Sequence, residues 1–226
     1  MDRAIRLVVV PGVFRPRSDS WMLTESLRDA SPGAGAEVLD LCTGSGVAAI
    51  SAARLGANAT AVDVSRRAVV TVRLNAAINR VAGRVQVVRG DLFDAVPGRS
   101  FDVIVSNPPY VPSGDGDLPA RGPSRAWEGG PDGRVVLDRI CDEAPRRLRP
   151  GGTVLLVHSS LCGTETTLER LADGGLDVRV AQRRTGPLGP LMLARAADLE
   201  RRGVLAPGQR EEDVVVIEGR RPIEGS

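Results

Sequence analysis

The chain reads as an α/β protein built on a wound, mostly parallel sheet of seven strands, one of them antiparallel. Three observations predict this. Between residues 37 and 217 short β-branched runs alternate with longer amphipathic segments; a glycine turn follows the first run; and acidic residues close the next two, at Asp63 and Asp91. Strands are placed at 37–41, 59–62, 85–89, 101–106, 153–158, 176–182 and 213–218. Helices are placed at 46–55, 65–80, 133–149 and 164–172, on apolar residues at helical spacing such as Val69, Val72, Leu74 and Ile78. Two stretches break the rhythm and are long enough to face a substrate. One is 111–133, rich in Gly, Pro and Ser; the other is 185–212, with a helix expected at 191–202.

At 226 residues, 42% hydrophobic and 26% charged, the chain fits one domain with a full core, which excludes disordered and fibrous classes. The expected division is a single domain over 1–226, with an N-terminal extension at 1–36, an insertion at 185–212 and a frayed tail at 220–226. A net charge of +2, carried on the basic side by arginine alone, argues against a tight duplex nucleic-acid binder. Exclusive arginine usage fits G/C-rich coding. Cys42, Cys141 and Cys162 show no C-x-x-C spacing, so neither a disulfide framework nor a metal cluster is expected, and a reducing cytoplasm fits. The apolar stretch 7–10 is cut short by Pro11-Gly12, too soon for a signal peptide or a membrane span.

The strongest chemical signal is Asn107-Pro108-Pro109-Tyr110, directly after the run 101–106 and so at the C-terminal edge of a buried strand, where open α/β sheets place their chemistry. Two prolines fix φ, remove two donors and hold Asn107 extended. The corner is a stiff acceptor plate beside an aromatic ring. The Asn107 side-chain oxygen and the Pro108 carbonyl can each take one hydrogen of a planar NH2 group while Tyr110 stacks on its plane. This is the pattern of an amino-methylation site.

Asp40, Cys42, Thr43, Gly44 and Gly46 form a strand running into a G-x-G-x-x-A turn. Taken alone such a turn also suits a dinucleotide, or no ligand at all. Asp40, on the strand just before it, repels pyrophosphate and can accept from the ammonium group of S-adenosylmethionine. Asp63, 17 positions beyond Gly46, can chelate ribose hydroxyls. Asp91 can take the adenine amine and the Leu92 amide a ring nitrogen. Each residue is weak evidence alone; their order along the chain raises the odds. Of six aromatics, Phe14, Trp21, Phe93, Tyr110 and Trp127 lie in or beside these segments, where cleft lining and ordinary packing are equally good readings. His158 has no partner pattern and reads as structural.

These motifs resemble the HemK-type protein-glutamine N5-methyltransferases, which modify peptide-chain release factors. The resemblance includes the stretch 12–20, the glycine turn, Asn107 to Tyr110, and Ala126-Trp127-Glu128-Gly129-Gly130-Pro131-Asp132-Gly133-Arg134, and covers residues 12–160. It implies a class I, Rossmann-like methyltransferase fold with S-adenosylmethionine as cofactor and no metal. By the same resemblance Ser20, Asp40, Cys42, Thr43, Gly44 and Gly46 serve the methionine and ribose side, Asp63 the ribose, and Asp91 with Leu92 the adenine. Asn107 and Pro108 grip the target amide, Pro109 shapes the turn and Tyr110 packs on the glutamine. Only some 35 residues precede the first strand, so the resemblance implies a short form without the helical docking domain of the usual bacterial members, like the eukaryotic and archaeal branch that often works with a small activator subunit. Two other enzymes compete with this reading: an adenine-N6 methyltransferase of DNA or RNA, which shares the tetrapeptide, and an NAD-dependent oxidoreductase, which leaves the prolines unexplained. A non-catalytic cofactor-binding protein is the third alternative.

Overall fold

The computed structural model describes residues 4–113 and 122–223. In chain order the elements are α1 (Ser18–Asp29), β1 (Glu37–Leu41), α2 (Val47–Arg54), β2 (Asn58–Asp63), α3 (Arg66–Ile78), β3 (Val85–Arg89), β4 (Phe101–Ser106), α4 (Val135–Arg147), β5 (Leu148–Ser159), α5 (Thr164–Asp173), β6 (Asp177–Pro187), α6 (Pro190–Ala194), α7 (Ala196–Arg201) and β7 (Glu211–Arg220). The sheet order is β3-β2-β1-β4-β5-β7-β6. Winding runs outward from β1 through β2 to β3, then restarts on its other side at β4. That reversal opens a crevice at the C-terminal ends of β1 and β4, where side chains from two chain segments meet. β7 alone runs antiparallel, against both β5 and β6, as expected.

Alternation along each strand divides the core into two faces. Val38, Val103, Val105, Leu155 and Val157 pack with Met22, Leu23 and Leu27 of α1 and with α2. Leu39, Leu41, Ile104, Leu156 and Ile217 pack beneath α4 and α5. Since both faces are covered, the central strands read as continuous apolar runs instead of alternating ones.

The structure corrects the sequence expectations in two places. First, the N-terminal extension expected at 1–36 contains a helix that the strand-and-helix pattern did not place, α1 at residues 18–29, packed on the sheet. Its sequence, SDSWMLTESLRD, is mostly polar, and its buried face includes Asp19, Ser20, Thr24 and Ser26, so apolar periodicity is thin. Second, the stretch 185–212 is not wholly an insertion. Its ends belong to β6 and β7, and the expected helix at 191–202 is two short helices meeting at Arg195. Residues 188–210 carry a small third core, in which Leu188, Met192, Ala196, Leu199 and Leu205 pack with Val111 and Trp127. Part of the stretch 111–133 and the end of the tail 220–226 lie outside the described residues.

The N-terminal segment is held without joining the sheet. On α3, Asn75 and Asn79 lie four residues apart and therefore on one face. Asn75 Oδ1 accepts from Val8 N at 2.8 Å and its Nδ2 donates to Val8 O at 2.9 Å. Asn79 repeats the exchange with Arg6, at 3.0 and 2.7 Å. Two side-chain amides thus replace a neighbouring strand. Asn75 Nδ2 also donates to Ser45 O at 2.9 Å, which ties the glycine turn to the same helix. Because Asn75 is fully buried, Asn75→Ala should strand these partners and cost about 2–3 kcal/mol, measured by urea unfolding, with a smaller loss for the half-buried Asn79→Ala.

Candidate active site

β1 ends in a turn that only an unusual backbone can make. Cys42, Gly44 and Gly46 all have positive φ, at 56°, 54° and 83°. At Gly46 a Cβ would also lie 2.9 Å from Val72 Cγ1, so α3 packs directly on the turn. Gly46 is absent from the walls of the cleft; it shapes the turn from beneath. The buried Asp40 carboxylate holds this turn together, since its Oδ2 accepts from Thr43 Oγ1 at 2.5 Å and from Ala49 N at 3.0 Å. Burial nevertheless raises the Asp40 pKa to about 7, against the lowering effect of those two bonds. At the end of β2, Asp63 Oδ2 accepts from Gly44 N at 3.0 Å and Oδ1 from Ser65 N at 2.9 Å. Burial raises its pKa too.

Asp91 follows β3 and is half exposed. Arg139 of α4 clasps it at 2.9 and 3.3 Å, so this carboxylate is not free and shares its oxygens with a guanidinium. Leu92 takes a positive φ of 44° beside it and is buried.

The corner at the end of β4 opens into the same cleft. Asn107, Pro108, Pro109 and Tyr110 line it together with Ser20, Asp40, Cys42, Thr43, Gly44, Asp63, Asp91 and Leu92, around a volume of about 540 Å³. A cleft of that size suits a small molecule with room for a reacting group. Among the described residues six acidic side chains line it, from Asp19, Asp40, Asp63, Asp91, Glu128 and Glu212, against three arginines, Arg17, Arg125 and Arg139. Acid therefore dominates the wall of a chain whose net charge is slightly positive, a field that favours a cationic ligand and disfavours phosphates.

Asp19, which the motif reading passed over, organises the corner. Its Oδ2 accepts from Asn107 Nδ2 at 3.1 Å and from the Tyr110 hydroxyl at 3.0 Å, while Oδ1 accepts from Ser20 N at 2.6 Å and Ser20 Oγ at 3.2 Å. Asn107 Nδ2 also donates to Ser20 Oγ at 3.1 Å. A carboxylate only accepts, so the NH2 end of Asn107 must face Asp19, and Oδ1 is the acceptor end of the side chain. The Tyr110 hydroxyl is kept protonated, its pKa pushed well up by burial and then by the Asp19 charge. Neither link can be read along the chain, because Asp19 stands 88 residues before Asn107.

The Trp-x-Gly-Gly segment explains itself by close packing. Val111 N donates to Trp127 O at 2.8 Å, Gly129 N to Val111 O at 2.9 Å and Ser113 N to Gly130 O at 2.8 Å. A Cβ on Gly129 would sit 2.7 Å from Pro109 O, and one on Gly133 would strike Tyr110 O. These glycines let the later segment lie against the proline corner. Arg134, which closes the motif, is buried and donates to the carbonyls of Cys162 and Gly163. Of the aromatics, Phe14, Tyr110 and Trp127 line the cleft, Phe93 and Phe101 are core, and Trp21 is 38% exposed. His158 is fully buried with Nδ1 against Ser159 O, its pKa lowered by burial to about 4, and it stands apart from the cleft. No described helix is long and apolar enough to cross a membrane. Among the described residues no group of His, Cys, Asp and Glu is placed to hold a metal ion.

A wound sheet with an acidic, glycine-edged crevice at its switch point is the architecture of the class I S-adenosylmethionine-dependent methyltransferases. The comparisons agree. Residues 4–118 match the methyltransferase small domain. A Methanocaldococcus jannaschii protein assigned to the protein N5-glutamine methyltransferases is 35% identical over 193 residues, 85% of this chain and 95% of the other. The release factor glutamine methyltransferase of Gloeobacter violaceus is 38% identical over 162 residues, 68% of this chain and 57% of that enzyme. The ribosomal protein uL3 glutamine methyltransferase of Bradyrhizobium diazoefficiens is 42% identical over 130 residues, 55% of this chain and 41% of the enzyme. The chain thus spans nearly all of the archaeal relative and about half of the bacterial ones. Among solved structures, the E. cuniculi Mtq2–Trm112 complex, responsible for methylating the eRF1 translation termination factor, matches in fold with a TM-score of 0.62 at 24% identity, covering 93% of this chain and 99% of that one. The chain belongs to the methyltransferase small domain family, in its HemK-type glutamine N5-methyltransferase branch.

The raised Asp40 pKa has a sign that can be checked. A carboxyl that binds its proton more tightly folded than unfolded favours the fold while neutral; that contribution is complete below about pH 3.8 and is lost as the pH climbs to about 7. Ligand-free protein should therefore lose stability on the order of 2–4 kcal/mol from this group across that window. Asp40→Asn should flatten the decline in urea titrations run at a series of pH values, and an unchanged slope would contradict the burial argument.

Proposed function

We propose that the chain transfers a methyl group from S-adenosylmethionine to the side-chain amide nitrogen of a glutamine in a protein, most closely a peptide-chain release factor. One observation carries the reading: Asp19 and Ser20 together consume both hydrogens of the Asn107 amide, which turns Oδ1 into an acceptor at the mouth of an acidic cleft. An acceptor-only plate selects a group with two hydrogens to give, and the Pro108 carbonyl takes the second. Names of relatives point to the same acceptor, since they act on glutamine in release factors and in ribosomal protein uL3.

The residues fit the cofactor by their chemistry. Asp40, Asp63 and Asp91 offer carboxylates in chain order along the crevice, and Gly44 presents backbone without a side chain. When bound, S-adenosylmethionine supplies an electrophilic methyl on a cationic sulfur. Asp40 answers the ammonium group through the turn it stabilises, Asp63 holds the ribose, and Asp91 with Leu92 meets the adenine; Ser20, Cys42 and Thr43 complete the methionine side. Gly46 acts on this set by shaping the turn.

An amide nitrogen is a poor nucleophile because its lone pair is delocalised into the carbonyl. Positioning must then supply much of the rate. Asn107 Oδ1 and the Pro108 carbonyl hold both hydrogens of the target amide, raise electron density on its nitrogen and stabilise the positive charge that grows there. Asp19 strengthens the first of these acceptors by polarising the Asn107 amide from behind. Pro109 keeps the bend stiff, and Tyr110, locked by its bond to Asp19, packs on the amide plane. We read the described chain as a single catalytic domain, with α1 as one of its working parts.

The acid-rich wall argues against a phosphodiester acceptor, and the proline corner has no part in nicotinamide chemistry. Mass spectrometry of the organism's release factors and ribosomal proteins, with and without this gene, tests the proposal directly. The expected result is a glutamine that loses one methyl group when the gene is deleted; a methyl lost from adenine instead would overturn the reading. The purified assay is run with and without the organism's own Trm112-like subunit, since the E. cuniculi neighbour is a complex of that kind.

Asn107→Ala should abolish transfer and Asp19→Ala should lower kcat by about a hundredfold, both with calorimetric affinity for S-adenosylhomocysteine held within about threefold. Asp63→Ala should do the reverse, weakening cofactor affinity by at least about tenfold. Turnover that survives Asn107→Ala would remove the gripping role.

A further inference from the structure

Residues 188–210 stand over the acceptor end of the cleft, and their purpose follows from what they grip. Pro190, Leu191 and Met192 line the same cleft as Tyr110 and Trp127. Met192 is also buried in the small third core with Val111, the residue next to the proline corner. At its root the segment is fixed by Glu212, whose Oε1 accepts from Gly189 N at 3.1 Å and whose Oε2 accepts from Ser159 Oγ. Its far end is fixed by Arg195, at the junction of α6 and α7.

Arg195 joins two strips of chain that also meet through backbone amides and through Val111 and Trp127 in the small third core. Nη1 donates to Pro112 O at 3.0 Å, and Nη2 pairs with Glu128, whose side chain is only 16% exposed. Pro112 follows the proline corner by two residues and Glu128 lies inside the Trp-x-Gly-Gly segment. One planar guanidinium therefore spans both strips of the short ladder that Val111, Ser113 and Gly129 make through their amides. A forked donor suits two acceptors in fixed directions, whereas an ammonium acts as a point charge. Arg202 adds a second tie by donating to Pro131 O.

We propose that Arg195 is a positioning residue for the methyl acceptor: it staples the segment after the proline corner to residues 188–210, so that an apolar wall of Leu191, Met192 and Trp127 faces the backbone that carries the target amide. The proposal rests on the reading of this cleft as an amide-methylating site. It assigns the segment to acceptor recognition and not to cofactor binding, because the carboxylates placed against the cofactor come from the other end of the cleft. An apolar wall beside a neutral amide accommodates polypeptide and gives nothing to a phosphate backbone.

The test uses the full chain with Arg195→Ala, Arg195→Lys and Glu128→Gln. Hydrogen exchange reads the staple without any acceptor: Arg195→Ala should speed exchange at the amides of Val111, Ser113 and Gly129. Steady-state kinetics on the unmethylated release factor should show the acceptor KM raised about tenfold, with kcat less affected and affinity for S-adenosylhomocysteine within about twofold of the parent. Arg195→Lys should recover part of the loss, and Glu128→Gln should shift the acceptor KM in the same direction by less. Should Arg195→Ala fail to fold, the other two variants carry the same comparison. Unchanged exchange, an unmoved acceptor KM, or a parallel loss of cofactor affinity would each overturn the proposal. Failure of the parent chain to methylate any release factor would instead sink the proposed activity, and exchange would still decide the staple.

Discussion

The Asp19 carboxylate, set in the first turn of α1, is the contact on which the proline corner depends. An amide side chain is nearly symmetric in shape, so Asn107 at the end of β4 has no intrinsic reason to present oxygen instead of nitrogen to the cleft. Asp19 removes that ambiguity by accepting from the nitrogen, and fixes the Tyr110 ring through its hydroxyl with the same oxygen. The helix carrying Asp19 is in turn seated by Met22, Leu23 and Leu27 on the sheet beneath. Packing of an apolar helix face is thereby converted into the orientation of one polar group.

Acidic side chains are gathered here at some expense to the fold. Asp40 and Asp63 sit near each other in a buried crevice, and burial raises both pKa values despite the hydrogen bonds they accept. Such a site is strained electrostatically until a cation arrives, which is the usual relation between a preformed binding site and stability. Cys42, between them, is driven the same way: burial and then the Asp63 charge push its thiol well above the usual range. It stays protonated and unreactive, consistent with a lining role.

Close backbone approach sets the geometry at the acceptor side. The neighbouring strip lies against the Pro109 and Tyr110 carbonyls of the proline corner through Gly129 and Gly133, which leave no room for a Cβ. The strip is then held from outside by residues 188–210, through one guanidinium and a small apolar cluster. Rigid elements thus frame the corner on three sides: β4 behind, α1 below and the capping segment across.

Much of the molecule was written in the chain itself. Short β-branched runs marked all seven strands, and the strand-end acids, the glycine turn and Asn107 to Tyr110 pointed to one cleft, because apolar runs and proline or glycine constraints act over a few residues. What tertiary structure decided was everything that depends on partners far apart in sequence. Polar α1 took its helix from packing and brought Asp19 to Asn107; Asn75 and Asn79 replaced a strand partner for residues 6 and 8; Arg139 met Asp91 across 48 positions; and residues 188–210 packed on Val111 and Trp127. Side-chain hydrogen bonds between distant segments leave no period behind them, since their energy depends on where the fold has already put both ends.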